Sequence, residues 1–233
     1  MALRQGGPTM KIYYEDNHVI VIDKPQNEVV QKDITNDLDT LTRVKQYIKE
    51  KYNKPGDVYL GLVHRLDRPV GGLMVFAKTS KAASRLSEQV RNRTFFKEYT
   101  AVVHGKAHQT SFFDHLVKNS KTNTSKVVSK HIPNAKYAHL DVTWVNHNKK
   151  YDLSKVRIHL HTGRSHQIRV QFASRNLPLW GDHRYHHVVT EGADISLFAT
   201  TLEFDHPTTK KRLTFNRQTP HSFPFSLWKN SSN

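Results

Sequence analysis

The stretch GLVHRLDRPVGG, Gly61 to Gly72, combines charged residues with glycines between two apolar runs. The run that follows it, Leu73–Ala77, has the length of a buried strand. We therefore expect a tight, glycine-edged turn between strands that presents Asp67 between two arginines. Two guanidinium neighbours favour the ionised carboxylate, which can act as a nucleophile or as a base. An Arg–Asp pair with a purely structural role is the alternative.

The 233-residue chain is strongly basic, with 36 Lys and Arg against 20 Asp and Glu and a formal net charge of +16. A field of this sign attracts phosphates and predicts a polyanionic partner. The chain has no cysteine, which excludes disulfides, Cys-ligated zinc, iron–sulfur clusters and cysteine nucleophiles. No apolar run reaches the ~18 residues of a membrane span. No positively charged start is followed by an apolar stretch, so we expect no secretory signal. We expect a soluble, cytoplasmic protein with no membrane partner.

Hydrophobic patterning predicts many short strands and few helices. Residues 1–10 contain Gly-Gly-Pro and a second Met, and we interpret them as a disordered leader or an expression remnant. No break in composition follows, so we predict one α+β domain over residues 11–233. The predicted helices are Asp39–Tyr52, Ser80–Arg91 and a short one capped by Ser165 that runs to Ser174. The predicted strands are Lys11–Glu15, His18–Asp23, Val58–Val63, Leu73–Ala77, Glu98–His104, Tyr137–Val145, Lys155–His161, Ser196–Glu203 and Lys211–Phe215.

A second cluster, RIHLHTGRSHQIR (Arg157–Arg169), places three Arg and three His on a predicted strand, a turn and a helix start. Arginines there suit phosphate or carboxylate groups, and a basic surface patch is the alternative. His159 and His161 share a strand face, and His166 follows the turn, which is one arrangement of metal ligands. No carboxylate accompanies them in this segment, and the arginines would repel a cation. We therefore predict no metal site.

Three other segments carry weaker signals. KEYTAVVHG (Lys97–Gly105) opens a strand with Tyr99, and GDHRY (Gly181–Tyr185) is a polar turn. The stretch Lys118–Lys136 has five lysines and no acidic residue, and it predicts a loop that is either solvated or tracks a nucleic-acid backbone. The chain has no GxxxxGK[ST], GxGxxG, HExxH or GxSxG motif, so the chemistries that these motifs mark have no support.

In this order, the clusters resemble the motifs of the RluA family of pseudouridine synthases. VHRLDRPVGGLMVFAK (Val63–Lys78) is similar to that family's catalytic motif, HRLDxxTSGxxxxAK. KEYTAVVHG and LHTGRSHQIRV are similar to its second and third motifs, and YYEDNHVIVIDKP and GDHRY match its opening strands and a downstream turn. The resemblance covers nearly all of residues 11–228. Pro69-Val70-Gly71 departs from the usual Thr-Ser neighbourhood, and Gln171 stands where the family often has His.

The resemblance implies the pseudouridine synthase fold, a mixed, mainly antiparallel sheet flanked by helices and loops with a central active-site cleft. It also implies isomerisation of uridine to pseudouridine in structured RNA, tRNA or rRNA, with no metal or organic cofactor. Asp67 matches the essential Asp, which acts as nucleophile at C1′ or takes the 2′ proton. Tyr99 matches the Tyr that stacks on the base. Arg169 matches the Arg that forms an ion pair with the catalytic Asp.

The resemblance extends to RNA contacts, because the target uridine is flipped out of its strand. Arg65 matches the Arg that fills the space left by the flipped nucleotide. The other expected RNA-contact residues lie in the same two motifs: His64, Arg68, Leu160, Arg164 and His166. We expect a monomer with no obligate protein partner. Two other classes stay open: a non-catalytic RNA-binding or ribosome-assembly protein that keeps the fold, and an RNA glycosylase that releases free uracil.

Overall fold

The computed structural model describes residues 2–3, 10–32, 37–186 and 192–228. The chain forms two compact units: unit 1 is Met1–Phe96 with Thr201–Arg217, and unit 2 is Lys97–Thr200 with Gln218–Asn233. None of the helices in the described part of the chain is long and apolar enough to cross a membrane. The elements in chain order are β1 (Ala2–Leu3), β2 (Met10–Glu15), β3 (Val19–Lys24), α1 (Thr40–Lys51), β4 (Gly61–Leu62), β5 (Gly71–Ala77), α2 (Ser80–Arg91), β6 (Phe96–His104), β7 (Thr110–Asn119), β8 (Thr124–Val128), β9 (Lys136–Asn148), β10 (Leu153–Leu160), α3 (Gln167–Ala173), β11 (Leu197–Asp205), β12 (Arg212–Asn216) and a 3₁₀ turn (Phe225–Trp228).

Unit 1 is an antiparallel sheet with two helices. β2 pairs with β3, and β3 pairs with β5 along its whole length. All seven residues of β5 are buried, which explains why this strand has an uninterrupted apolar sequence rather than an alternating one. α2 packs against β5 and adds Ala82 and Leu86 to the core. The strand that follows the Arg-Leu-Asp segment is therefore a rigid support.

The two long helices begin where their capping residues predict. The Asp39 carboxylate accepts the N–H of Thr42 at 2.9 Å, and Thr79 Oγ1 accepts the N–H of Ala82 at 3.1 Å. The predicted helix Asp39–Tyr52 corresponds to α1 with its two caps, Asp39 and the exposed Tyr52.

Unit 2 is an antiparallel sheet in the order β6-β10-β9-β7-β8. α3 covers one face of it, where Val170 packs with Leu116 and Ala138. The predicted loop Lys118–Lys136 is wrong in part, because β7 runs to Asn119 and β8 pairs with it as a hairpin. Backbone pairing, rather than apolar content, holds β8, so hydrophobic patterning could not reveal it.

The α+β class is confirmed: in the described residues, each unit has antiparallel strand pairing, and three α-helices accompany the strands. The predicted cap of α3 is wrong: α3 begins at Gln167 after His166, whose backbone is left-handed (φ 52°), and Ser165 does not cap it. The predicted leader over residues 1–10 lies largely outside the described residues, although Ala2–Leu3 pairs with the start of β2. The single domain over residues 11–233 stays a prediction.

Candidate active site

Residues 63–70, here called the Asp67 loop, connect β4 to β5 and carry the charged motif. Leu66 and Val70 anchor the loop and are 6% and 2% exposed, whereas both arginines of the loop are exposed. The Asp67 carbonyl accepts the N–H of Val70 at 3.0 Å, which closes a tight turn. The half-buried Asp67 therefore stands on a short loop whose apolar residues fix it to the core.

A buried lysine supports this loop from within unit 1. Lys24 is fully buried at the end of β3. Its ammonium donates to the carbonyls of Pro25 and Glu28 at 2.7 Å each and of Arg68 at 3.2 Å. Burial lowers the pKa of Lys24 to about 8, while the nearby carboxylates of Glu28 and Asp67 act in the opposite direction. Sequence reasoning assigned no role to Lys24; the available signal was a lysine directly after an apolar strand.

The other polar residues of the Asp67 loop have distinct environments. His64 Nε2 accepts the N–H of Val75 at 3.2 Å, and its ring lies 5.3 Å from that of Phe95. Arg68 forms an exposed ion pair with Asp37. His64 thus packs against the core, while Arg68 lies at the surface of unit 1.

In unit 2, α3 directs Arg169 into a buried ion pair with Asp182. The Arg169 Nε and Nη2 atoms donate to the two carboxylate oxygens at 2.9 and 2.6 Å. The side chains are 6% and 0% exposed, and the guanidinium carbon lies 5.2 Å from the centre of the Tyr185 ring. A two-pronged pair of this kind fixes the plane of the guanidinium as well as its position.

The turn that supplies Asp182 depends on a glycine. Gly181 has φ +73°, and a Cβ built there would lie 2.3 Å from the Asp194 carbonyl oxygen. The Asp182 carboxylate also accepts the N–H groups of Arg184 and Tyr185 at 3.1 and 3.3 Å. Sequence reasoning saw GDHRY as a polar turn and missed Asp182 as the partner of Arg169. The available signal was an acidic residue directly after a glycine.

Gln167, the first residue of α3, organises the turn before it. Its side-chain carbonyl accepts from the Thr162 hydroxyl at 2.8 Å and from the N–H of Arg164 at 3.0 Å. Its amide donates to the carbonyl of His139 at 3.1 Å. Arg164 is exposed, and its Nε donates to the carbonyl of Tyr137 at 2.8 Å. One buried glutamine thus links β9, the turn and the start of the helix.

The remaining predicted residues of unit 2 are buried. Tyr99 lies in β6 opposite Ile158 and is 5% exposed. Leu160 ends β10, and His166 Nδ1 lies 2.8 Å from the Tyr185 hydroxyl. Within unit 1, one loop carries four predicted residues: His64, Arg65, Asp67 and Arg68. Within unit 2, β6, the end of β10, the turn and α3 carry the other five. The predicted ion pair between Arg169 and the catalytic carboxylate stays a prediction.

Residues 18–174, more than half of the chain, match the family model described as RNA pseudouridylate synthase. The chain belongs to the RluA family of RNA pseudouridine synthases. The resemblance seen in the motifs is thereby confirmed, and with it the enzyme class: an isomerase that modifies RNA.

Curated relatives of this synthase come from several bacteria. The "Uncharacterized RNA pseudouridine synthase YlyB" of Bacillus subtilis is 33% identical over 215 residues, which span 91% of this chain and 69% of the relative. The "Ribosomal large subunit pseudouridine synthase D" of Vibrio cholerae is 31% identical over 226 residues, spanning 91% of this chain and 68% of the relative. A protein of the same name from Yersinia pestis is 34% identical and is covered over 59% of its length.

Solved structures share the fold of this synthase. "Human RNA Pseudouridylate Synthase Domain Containing 4" superposes with a TM-score of 0.76 at 21% identity, over 93% of this chain and 91% of the human chain. "Human RNA Pseudouridylate Synthase Domain Containing 1" gives a TM-score of 0.74 at 22% identity, over 94% and 88%. At these identities the likeness shows a common fold, and the predicted pseudouridine synthase fold is confirmed.

Proposed function

We propose that this pseudouridine synthase uses Asp67 to isomerise a flipped-out uridine of a structured RNA, in tRNA or rRNA. The observation that carries the proposal is the Asp67 loop. Its buried residues and the Lys24 ammonium fix its backbone, while two exposed arginines flank a half-buried carboxylate. A reactive group on a rigid support is what positioning of a nucleophile requires.

The proposed reaction conserves all atoms of the nucleotide. The bond between N1 and C1′ breaks, the uracil rotates, and C5 bonds to C1′; the C5 proton is released to solvent, and N1 takes up one proton from solvent. The carboxylate of Asp67 either attacks C1′ or takes the 2′ proton, and both routes need an ionised side chain close to the ribose. No metal or organic cofactor has a part in this proposal.

Two residues of unit 2 also have proposed roles in the reaction. We assign base stacking to Tyr99 and electrostatic support of the catalytic carboxylate to Arg169. The bidentate pair with Asp182 supports the second assignment, because it holds the guanidinium in one orientation before substrate binds.

RNA binding is assigned to the same two motifs and to the overall charge. Arg65, Arg68 and Arg164 are exposed and suit phosphate contact. Arg65 is the candidate to occupy the space that the flipped nucleotide leaves. His64, Leu160 and His166 are more buried, and their proposed role is to shape the surface that carries those arginines.

Large-subunit ribosomal RNA is the first substrate to test, because relatives at 31% and 34% identity are named for that RNA. tRNA is the second. Both occur in the cytoplasm, where we place the enzyme, and we propose that it acts as a monomer without a protein partner.

Incubation with transcripts labelled with tritium at uridine C5 tests the proposal. The synthase reaction releases tritium to water and leaves pseudouridine in the RNA. Release of free uracil would identify a glycosylase instead. RNA binding without tritium release on tRNA and rRNA would favour a non-catalytic RNA-binding or assembly protein.

A further inference from the structure

One face of the unit-2 sheet carries polar and aromatic side chains. Along β9, Ala138 and Leu140 are buried, and Ala138 packs with Val170 of α3. Alternation along a strand therefore puts His139 and Asp141 on the opposite face. The antiparallel register brings β7 and β10 alongside these two residues.

On this face, two imidazoles converge on one carboxylate. His139 Nε2 lies 3.2 Å from Asp141 Oδ1, and His161 Nε2 lies 2.6 Å from Asp141 Oδ2. The two rings are stacked, with centroids 4.0 Å apart and planes 8° apart, so both Nε2 atoms reach the same carboxylate. One ligand atom from each of the three residues lies within 4.8 Å of the others. The Ser111 hydroxyl donates to Asp141 Oδ1 at 2.6 Å and helps to orient the carboxylate.

We propose that His139, Asp141 and His161 bind Zn²⁺. This cation takes imidazole nitrogens and carboxylate oxygens at about 2.0–2.2 Å in a tetrahedral arrangement, so neighbouring donors lie roughly 3.3 Å apart. The contact from His139 to Asp141, 3.2 Å, already has that separation. The contact from His161, now a hydrogen bond at 2.6 Å, has to widen by roughly 0.7 Å. A metal lies in the plane of each imidazole that binds it, so one of the two stacked rings also has to turn out of the stack. Each Nε2 proton moves to Nδ1 or leaves to solvent when the metal binds.

His159 lies near the three proposed ligands. His159 faces Asp141 across the β9–β10 ladder, and its Nδ1 lies 3.9 Å from Asp141 Oδ2. Its ring centroid is 4.0 Å from that of His161. His159 or a water molecule can therefore complete the tetrahedron.

The structure weakens both reasons for which the sequence predicted no metal. The missing carboxylate, that of Asp141, comes from β9, outside the His-rich segment. Two of the arginines in that segment have partners of their own: Arg164 donates to the carbonyl of Tyr137, and Arg169 pairs with Asp182. Only the strand register, which the sequence does not disclose, brings the histidines and the carboxylate together.

A metal ion here would brace the turn before α3. The main chain of His139 accepts from the Gln167 amide at 3.1 Å and donates to the Thr162 hydroxyl at 2.9 Å. His161 directly precedes that turn, and its N–H donates to the His139 carbonyl at 3.2 Å. Zn²⁺ would therefore tie β9 to the end of β10 and stabilise the native chain. This inference does not rest on the proposed function.

Metal titration of the full chain tests the site. The protein is stripped with a chelator and titrated with Zn²⁺ against a chromophoric competitor, and the melting temperature is recorded with and without Zn²⁺. Co²⁺ is the spectroscopic probe, because tetrahedral nitrogen and oxygen ligation gives intense visible absorption. His161→Gln and Asp141→Asn remove one ligand each. His115→Gln is the matched control, since His115 lies on the same sheet face next to Tyr137 and outside the cluster.

We expect one equivalent of Zn²⁺, a tetrahedral Co²⁺ spectrum, and a rise of roughly 5 °C in Tm at saturating metal. The two ligand variants should bind at least about tenfold more weakly and lose the Tm rise, while His115→Gln should behave as wild type. Circular dichroism of the metal-free variants checks that they fold. Equal binding by all four proteins, or no binding by the wild type, would overturn the proposal. If the wild type does not bind Zn²⁺ and His161→Gln binds RNA more weakly than the wild type, the rings are a base-stacking surface instead.

Discussion

The Asp67 loop of unit 1 and the segment from residue 160 to 171 of unit 2 carry eight of the nine predicted site residues, and they are built in opposite ways. In the loop, apolar Leu66 and Val70 are buried and the arginines are exposed. In the segment, polar residues are buried, among them Gln167, Arg169 and Gln171.

This difference separates two uses of polar side chains. A loop anchored by apolar residues can present a reactive group without depending on that group for stability. A buried polar network needs every partner, because an unpaired buried donor or charge is costly. Substitutions in the loop should therefore change activity more than stability, and those in the segment should change both.

Asp67→Asn should have the largest effect of all. The amide has nearly the same shape but is a poor nucleophile and base, so we expect the single-turnover rate to fall on the order of 10³-fold or more. Tm should stay within roughly 3 °C, because the loop is anchored by other residues. Tritium release and thermal melts measure the two quantities. A large loss of stability would contradict the expectation that substitutions in the loop affect activity more than stability.

Asp182→Ala should be the most destabilising change in the segment. It leaves the buried guanidinium of Arg169 without its bidentate carboxylate, which should cost about 3–5 kcal/mol of unfolding free energy. The matched control is Asp205→Ala, because Asp205 and Arg212 form an exposed ion pair at 3.4 Å. This change should lower the free energy of unfolding by less than about 1 kcal/mol. Urea unfolding of both variants gives the comparison. Similar costs would show that the buried pair is no more important than a surface pair.

Arg65→Ala should have an intermediate effect that depends on the RNA. If Arg65 fills the space of the flipped nucleotide, its loss should slow turnover of a structured stem-loop roughly tenfold more than turnover of a flexible oligonucleotide with the same uridine. Arg65→Lys should rescue poorly, since lysine lacks the planar face. Single-turnover rates at two pH values measure this. Equal losses on both RNAs, relieved at higher pH, would leave Arg65 as an electrostatic neighbour only.

Glu15→Gln should show that unit 1 also has a charge network outside the Asp67 loop. The Glu15 carboxylate accepts from Lys51, Lys78 and Tyr47 at 2.6–2.9 Å. Burial raises the pKa of Glu15, but these hydrogen bonds outweigh it and lower the pKa to about 2. The stabilisation is therefore complete above about pH 4.5 and is lost as the pH falls towards 2.

We expect Glu15→Gln to lower the free energy of unfolding by about 2 kcal/mol at pH 7, and this loss should shrink as the pH falls from 4.5 towards 2. Glu50→Gln, on the exposed side of α1, is the control and should leave the free energy of unfolding unchanged across this pH range. Urea unfolding from pH 7 to pH 3 measures both. A difference in unfolding free energy between Glu15→Gln and the wild type that stays constant with pH would contradict the charge-based explanation.

The sequence predicted best the elements whose signal is local. α2 has the predicted bounds, because a capping Thr79 and a helical apolar stripe mark it. The hairpin β7–β8 was hidden because backbone pairing holds it with few apolar side chains.

Contacts between residues far apart in the chain were beyond sequence reasoning. Asp182 beneath Arg169, Lys24 beneath the Asp67 loop, and Asp141 between two histidines all depend on strand register and turn geometry. The motifs indicated the residues to which we assign roles in the reaction, whereas the groups that contact those residues became visible only in the folded chain.

Pseudouridine mapping of total RNA tests the central claim most directly. Cells that lack the gene are complemented with the wild-type chain or with Asp67→Asn, expressed at equal levels. The account predicts that one or more rRNA or tRNA uridines lose the modification on deletion, regain it with the wild type, and stay unmodified with Asp67→Asn. Restoration by Asp67→Asn would contradict the role of that carboxylate, and an unchanged map after deletion would contradict the proposed function.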